Sequence, residues 1–211
     1  MIVSFLGYKG GVGKTTSCVN AAGFLRGAGK SVLVVDMDPQ ANATSALGID
    51  LSSVDLGIND VVDPREGAME TPEGIHLLSS KGAVVKHLPD LNLDYDFILI
   101  DTPPSSKEII SLCSSRSDLS LACFDCGILA LESFRYLGMK TDNAIICKYR
   151  WPTDREIRRE IEHRFKNVFV IPYDQRVIRS QIMGRTVASA YSGGRAYSAY
   201  RRLSEWLLHS V

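Results

Sequence analysis

The stretch Tyr8-Lys9-Gly10-Gly11-Val12-Gly13-Lys14-Thr15-Thr16 decides how this chain is read. An apolar run, Ile2-Val3-Ser4-Phe5-Leu6, leads into it, and a helix-compatible stretch from Ser17 to Ala28 follows. Strand, glycine-rich loop and helix in that order are the context of a phosphate site. The glycines let successive main-chain N–H groups close around an anion, because a Cβ blocks close approach. The helix behind them adds unpaired donors and about half a positive charge. In this reading residues Gly10, Gly11, Val12, Gly13 and Thr16 line the phosphates. Lys14 reaches the β- and γ-phosphates, and the Thr15 hydroxyl ligates magnesium.

The spacing departs from the ordinary pattern G-x-x-x-x-G-K-[ST]. Its first glycine falls at Tyr8, and an extra lysine, Lys9, precedes the glycines. In this form, K-G-G-x-G-K-T-T, the loop resembles the deviant phosphate loop of the ParA/MinD family of ATPases. Members of that family segregate plasmids and chromosomes or position division proteins. The resemblance implies that Lys9 crosses to the nucleotide of a second subunit, so that a homodimer sandwiches two ATP molecules.

Length and composition fit such a domain. The 211 residues suit one α/β unit spanning 1–211. Hydrophobic and charged contents of 45% and 23% are near the globular average. No apolar run approaches the roughly 20 residues of a membrane span. The N-terminus lacks a signal-peptide layout, so a cytoplasmic location is the default expectation. The net charge of zero is unevenly spread: residues 1–147 carry 11 Lys and Arg against 18 Asp and Glu, residues 148–211 carry 13 against 6. A basic last third suggests a face for nucleic acid; the alternative is a face that pairs with acids elsewhere in the fold. Cys123 and Cys126 have metal-pair spacing, but no second pair accompanies them, and core packing is the preferred reading.

Short apolar runs alternate with longer amphipathic ones. Strands are expected at Ile2–Leu6, Ser31–Val35, Ile75–Leu78, Phe97–Ile100, Leu119–Phe124, Ala144–Cys147 and Val168–Ile171. Helices are expected at Thr15–Ala28, Ser105–Ser115, Leu131–Asp142, Asp154–Phe165, Gln175–Met183 and Tyr197–His209. Several strands are continuously apolar, as strands buried on both faces must be. The order predicts an α/β fold, a mainly parallel, doubly wound P-loop sheet flanked by helices, with its ligand beyond the strand carboxyl ends.

Two acidic motifs fall at those ends. Asp36-Met37-Asp38-Pro39-Gln40-Ala41-Asn42-Ala43-Thr44 follows the second strand. It is similar to the family's D-x-D-P-Q box, which implies that Asp38 positions the attacking water while Asp36 supports the loop and the outer shell of the metal. The alternative is two acids serving a turn. Phe97-Ile98-Leu99-Ile100-Asp101, followed by Thr102-Pro103-Pro104, is an apolar strand ending in an acid. Asp101 in that position holds magnesium through its water shell, and the segment after it resembles the family's γ-phosphate sensor.

The resemblance extends further. Ala130-Leu131-Glu132-Ser133 is similar to the family's A-L-E-G helix start, with serine in place of glycine. Val170-Ile171-Pro172 matches the segment that borders the adenine, making Pro172 a candidate base contact; a turn proline is the alternative. Arg195-Ala196-Tyr197-Ser198-Ala199-Tyr200 resembles the closing R-G-x-x-A-Y helix, where DNA-binding members place an arginine on the DNA backbone. Arg195 is the first candidate, with Arg176, Arg179, Arg185 and Arg202 as additions; a solvated basic face is the alternative. Such contacts are sequence-independent and salt-sensitive. No helix-turn-helix precedes Ile2, so sequence-specific DNA binding is not expected. The resemblance also implies slow turnover until a centromere-binding partner stimulates it. A membrane-cycling relative of MinD and an iron–sulfur-carrier ATPase are the competing readings.

Overall fold

Alternate residues of the central strands enter two separate cores, which explains why the strands are apolar along most of their length. Val3, Phe5, Val34 and Leu99 pack on one side of the sheet, Leu33, Val35, Ile98 and Ile100 on the other. Each such Val, Leu or Ile side chain contributes about 1.5–3 kcal/mol of burial. The computed structural model describes residues 1–127 and 141–210.

Chain order begins with β1 (Ile2–Leu6), α1 (Lys14–Gly27), β2 (Val32–Asp36), α2 (Asn42–Ala46), α3 (Pro64–Gly67), β3 (Met69–Glu70) and β4 (His76–Leu78). It continues through β5 (Phe97–Asp101), α4 (Lys107–Ser115), β6 (Leu119–Phe124), β7 (Asn143–Tyr149) and α5 (Arg155–Arg164). It closes with β8 (Asn167–Pro172), α6 (Gln175–Ile182), α7 (Val187–Ala190) and α8 (Arg195–Leu208). The strands form one eight-stranded sheet in the order β3-β4-β2-β5-β1-β6-β7-β8. All pairings are parallel except the short edge pair of β3 with β4.

All seven expected strands are present. The second and fourth run one residue further than expected, so that Asp36 and Asp101 close the strands from within and lie side by side in register. The expected helix start at 130–133, with Glu132, lies outside the described residues, as does nearly all of the helix expected over Leu131–Asp142; residues 141 and 142 are not helical.

Small residues set how closely α1 approaches its neighbours. It buries Cys18, Ala21, Ala22 and Leu25 against the sheet and against α8. At Gly23 a Cβ would come within 2.3 Å of the Thr186 hydroxyl oxygen, so glycine is required by space alone. From α8 the inward face supplies Ala199, Tyr200, Leu203 and Leu207, and Tyr197 meets Phe24 edge-on at 4.8 Å. The crossover that follows β1, through α1, packs on one face of the sheet, and the crossover that follows β5, through α4, packs on the other. That leaves a crevice at the carboxyl end of β1, where ligands of such sheets bind.

Candidate active site

The phosphate loop occupies that crevice. After β1 the chain curls through residues 7–13 and enters α1 at Lys14. Gly11 and Gly13 take φ of 74° and 104°, the left-handed region that glycine enters without strain. Space also excludes a side chain at Gly13, where a Cβ would lie 2.8 Å from Sγ of Cys147. Val12 turns its side chain into the core, leaving only its main chain to meet a ligand. Lys14 is only 5% exposed; its Nζ donates to the Lys9 carbonyl at 3.3 Å and borders the cleft. The Thr16 hydroxyl accepts a hydrogen bond from Gln181 of α6 at 3.2 Å. Lys9 points elsewhere: its half-exposed ammonium pairs with Asp125 of the same chain at 2.8 Å.

Three acids meet the loop, each held differently. Asp101 is fully buried, and its Oδ2 accepts a 2.6 Å hydrogen bond from the Thr15 hydroxyl. Its Oδ1 is buried without a partner among the described residues. Burial, then the neighbouring Asp36 charge, pushes the Asp101 carboxyl up, while the Thr15 bond and Lys14 pull the other way. Asp36 is likewise raised, by burial, against hydrogen bonds from the Thr44 main chain and hydroxyl and from the Asp38 N–H. Thr44 is itself within 2.8 Å of the Ser79 hydroxyl. Asp36 therefore braces the segment 37–44 rather than touching Thr15. Asp38 is 6% exposed and borders the cleft. One of its carboxylate oxygens caps the Gln40 N–H at 2.9 Å, and its carbonyl accepts from the Ser80 hydroxyl at 2.6 Å.

A hard oxygen-seeking cation fits this donor set. The Thr15 hydroxyl and the Asp101 carboxylate supply two protein oxygens, and the unpartnered Oδ1 is the kind of buried lone pair that needs an explanation. Magnesium commonly takes one or two such ligands and completes its shell with water and phosphate oxygens.

The cleft has a volume of about 540 Å³ and runs from the loop to Asp38, Pro104 and the exposed Ile178 and Ile182 of α6. A second hollow of about 220 Å³ adjoins it, lined by Ile171, Pro172, Tyr173, Val177 and Tyr200. Gly13, Thr16, Lys148 and Gln181 border both. Pro172 thus stands in the apolar hollow beside the phosphate cleft, a place suited to a flat ring.

The candidate arginines are all exposed. Arg195 opens α8, and Arg176, in the first turn of α6, donates to the Gly193 carbonyl at 2.8 Å, which places two helix N-termini side by side. Arg185 binds the Ser189 carbonyl and lies 3.9 Å from Glu73. Among the described residues Arg179, Arg195 and Arg202 make no ion pair. Reading the sequence missed Asp125, Lys148, Gln181, Ser79 and Ser80, and it included Thr44 in the acidic stretch without giving it a role. Only Lys148, a charge set directly after an apolar run, carried a signal that could have found it.

Comparison with known proteins agrees with this architecture. A family described as an AAA domain matches residues 1–76. A chromosome-partitioning ATPase, Soj, of Thermus thermophilus is 27% identical, over 99% of this chain and 96% of that protein. The sporulation initiation inhibitor protein Soj of Bacillus subtilis is 32% identical over 64% of this chain and 62% of its own length. Among solved structures, the septum site-determining protein MinD of Pyrococcus horikoshii, complexed with Mg-ADP, superposes with a TM-score of 0.79. It is 22% identical and covers 98% of this chain and 95% of its own. The chain is thus similar to Soj along nearly its whole length and shares the fold of MinD, with a phosphate loop set beside strand-end acids.

Proposed function

We propose that this chain is a ParA-like partition ATPase that binds and hydrolyses ATP with magnesium, closes into an ATP-sandwich homodimer and holds DNA without sequence preference to segregate plasmid or chromosomal DNA. One observation carries the catalytic part. The phosphate loop, Asp38 and the Thr15–Asp101 pair converge on a single cleft beside an apolar hollow.

Each group then has a task. Main-chain N–H groups of Gly10 to Thr16 and the Lys14 ammonium hold the phosphate tail, and the hollow at Pro172 takes the base. Thr15 and Asp101, with Asp36 behind them, would hold magnesium, which would offset phosphate charge when bound. Asp38 orients the water that attacks the γ-phosphate in line. Little covalent chemistry is asked of the protein, so positioning and charge stabilisation supply the rate. Lys9 leaves Asp125 and reaches the nucleotide of the second subunit, as an arginine finger does. Exchanging a part-exposed ion pair worth about 0–1 kcal/mol for a phosphate contact is a small obstacle.

The DNA part is supported by the arginines at the two adjacent helix N-termini and by the chromosome-partitioning role in the name of the Thermus relative. A membrane cycle finds less support: the apolar face of α8 is already packed against α1 and β8, and no described helix is long and apolar enough to cross a membrane. An iron–sulfur role fares no better, since Cys123 is buried in the core. The reading places the ATP form on the nucleoid within the cytoplasm, with a centromere-binding protein as its stimulator. DNA retention measured by salt titration with ATP, ADP or no nucleotide tests it. Retention that needs ATP, ignores sequence and falls steeply with salt is expected; retention indifferent to nucleotide would refute the partition cycle.

A further inference from the structure

Lys148 follows directly on the apolar run of β7, at the point where the pairing with β8 shifts register between Ile146 and Tyr149. Its φ of 58° lies in the left-handed region, an unfavourable place for a residue with a Cβ. The irregularity lays the side chain across the phosphate loop. Nζ of Lys148 donates to the Gly11 carbonyl at 2.7 Å. The residue borders both the phosphate cleft and the apolar hollow.

Position and charge point the same way. Between the base and the terminal phosphates of an adenine nucleotide lie the ribose and the inner phosphates, and Lys148 stands between the corresponding two spaces. Of the three lysines gathered on the loop, Lys9 is paired with Asp125 and Lys14 is drawn onto the Lys9 carbonyl. Among the described residues Lys148 has no acidic partner within ion-pair distance. A lysine ammonium carries three donors, and the Gly11 carbonyl uses one.

We propose that Lys148 is a third nucleotide-binding lysine, one that grips the inner phosphates shared by ADP and ATP and ties the phosphate loop to β7 through Gly11. The inference rests on the nucleotide reading above and assigns a contact that the phosphate-loop motif does not include. Lys9 serves only the triphosphate-bound pair of subunits, whereas Lys148 acts in one chain and on both nucleotides.

Calorimetric titration of Mg-ADP into the full chain tests this, with Lys148→Met and Lys148→Arg compared over a range of salt at a temperature where all three proteins are folded. Lys148→Met should weaken ADP binding by about ten-fold, the size of one charge-assisted hydrogen bond, and flatten its salt dependence. Lys148→Arg should stay within about three-fold of the unaltered chain, since it keeps charge and donors. Unchanged ADP affinity in Lys148→Met overturns the proposal. So does a loss with unaltered salt dependence and no recovery in the arginine variant, the signature of a distorted loop. An unaltered chain that binds neither ADP nor ATP would instead sink the nucleotide reading itself.

Discussion

At Asp101 a fully buried carboxylate keeps one oxygen without a partner, an arrangement that lowers stability unless a ligand uses it. Its folded-state pKa is raised, first by burial. A raised carboxylate contributes stability below its unfolded pKa and loses it as pH climbs through the folded value. Without metal or nucleotide, the protein should therefore weaken between about pH 4, the ordinary aspartate value, and about pH 8. Asp101→Asn does not titrate, so its stability, followed by thermal melts, should exceed that of the unaltered chain at the upper end by about 1–3 kcal/mol, with the gap closing toward acid. The same variant should lose magnesium-dependent turnover. Melts of the two proteins that move in parallel across the range would contradict the account of this group. Asp38 makes the opposite kind of prediction, since it borders the cleft and its carboxylate, among the described residues, braces only the Gln40 turn. Asp38→Ala should retain ATP and the dimer while turnover falls by about 10²-fold or more, measured as phosphate release; normal turnover there would remove its role.

Arg195 sits at the first position of α8, where a cation opposes the helix dipole. Stability is thus a poor reason for an arginine there, and anion binding is a good one. Arg195→Ala should leave the melting temperature unchanged or raise stability by about 0.3–1 kcal/mol. It should also weaken DNA binding at every sequence and reduce the salt slope by about one; a variant that binds DNA unaltered would remove Arg195 from the interface. Elements of this size were legible from the sequence because their apolar runs are long. Leu119–Phe124 is a strand in both readings, and α1 begins within a residue of its expected start. Short pieces were not legible. Asn42–Ala46 and Val187–Ala190 are too brief to show a period, and the edge strand Met69–Glu70 exists only through its pairing with β4. In the site, the motif residues were readable because their spacing is local. Asp125 and Gln181 were not, because they reach Lys9 and Thr16 across 116 and 165 residues of sequence.

Across the whole molecule, the sheet order gathers the ends of β1, β2 and β5 into one crevice and leaves Lys9 on the rim. A lysine held there by one acid of its own chain can be released without disturbing the core. Lys9→Ala should fold normally and bind ADP, yet fail to dimerise with ATP in size-exclusion chromatography; dimerisation and hydrolysis at ordinary levels would dismiss the sandwich. All of this depends on the loop of residues 9–16 gripping a triphosphate. Calorimetry of ATP with magnesium tests that most directly. Saturable binding of one nucleotide per chain, lost in Lys14→Ala, is the predicted result, and an absence of measurable affinity in the unaltered protein would contradict it.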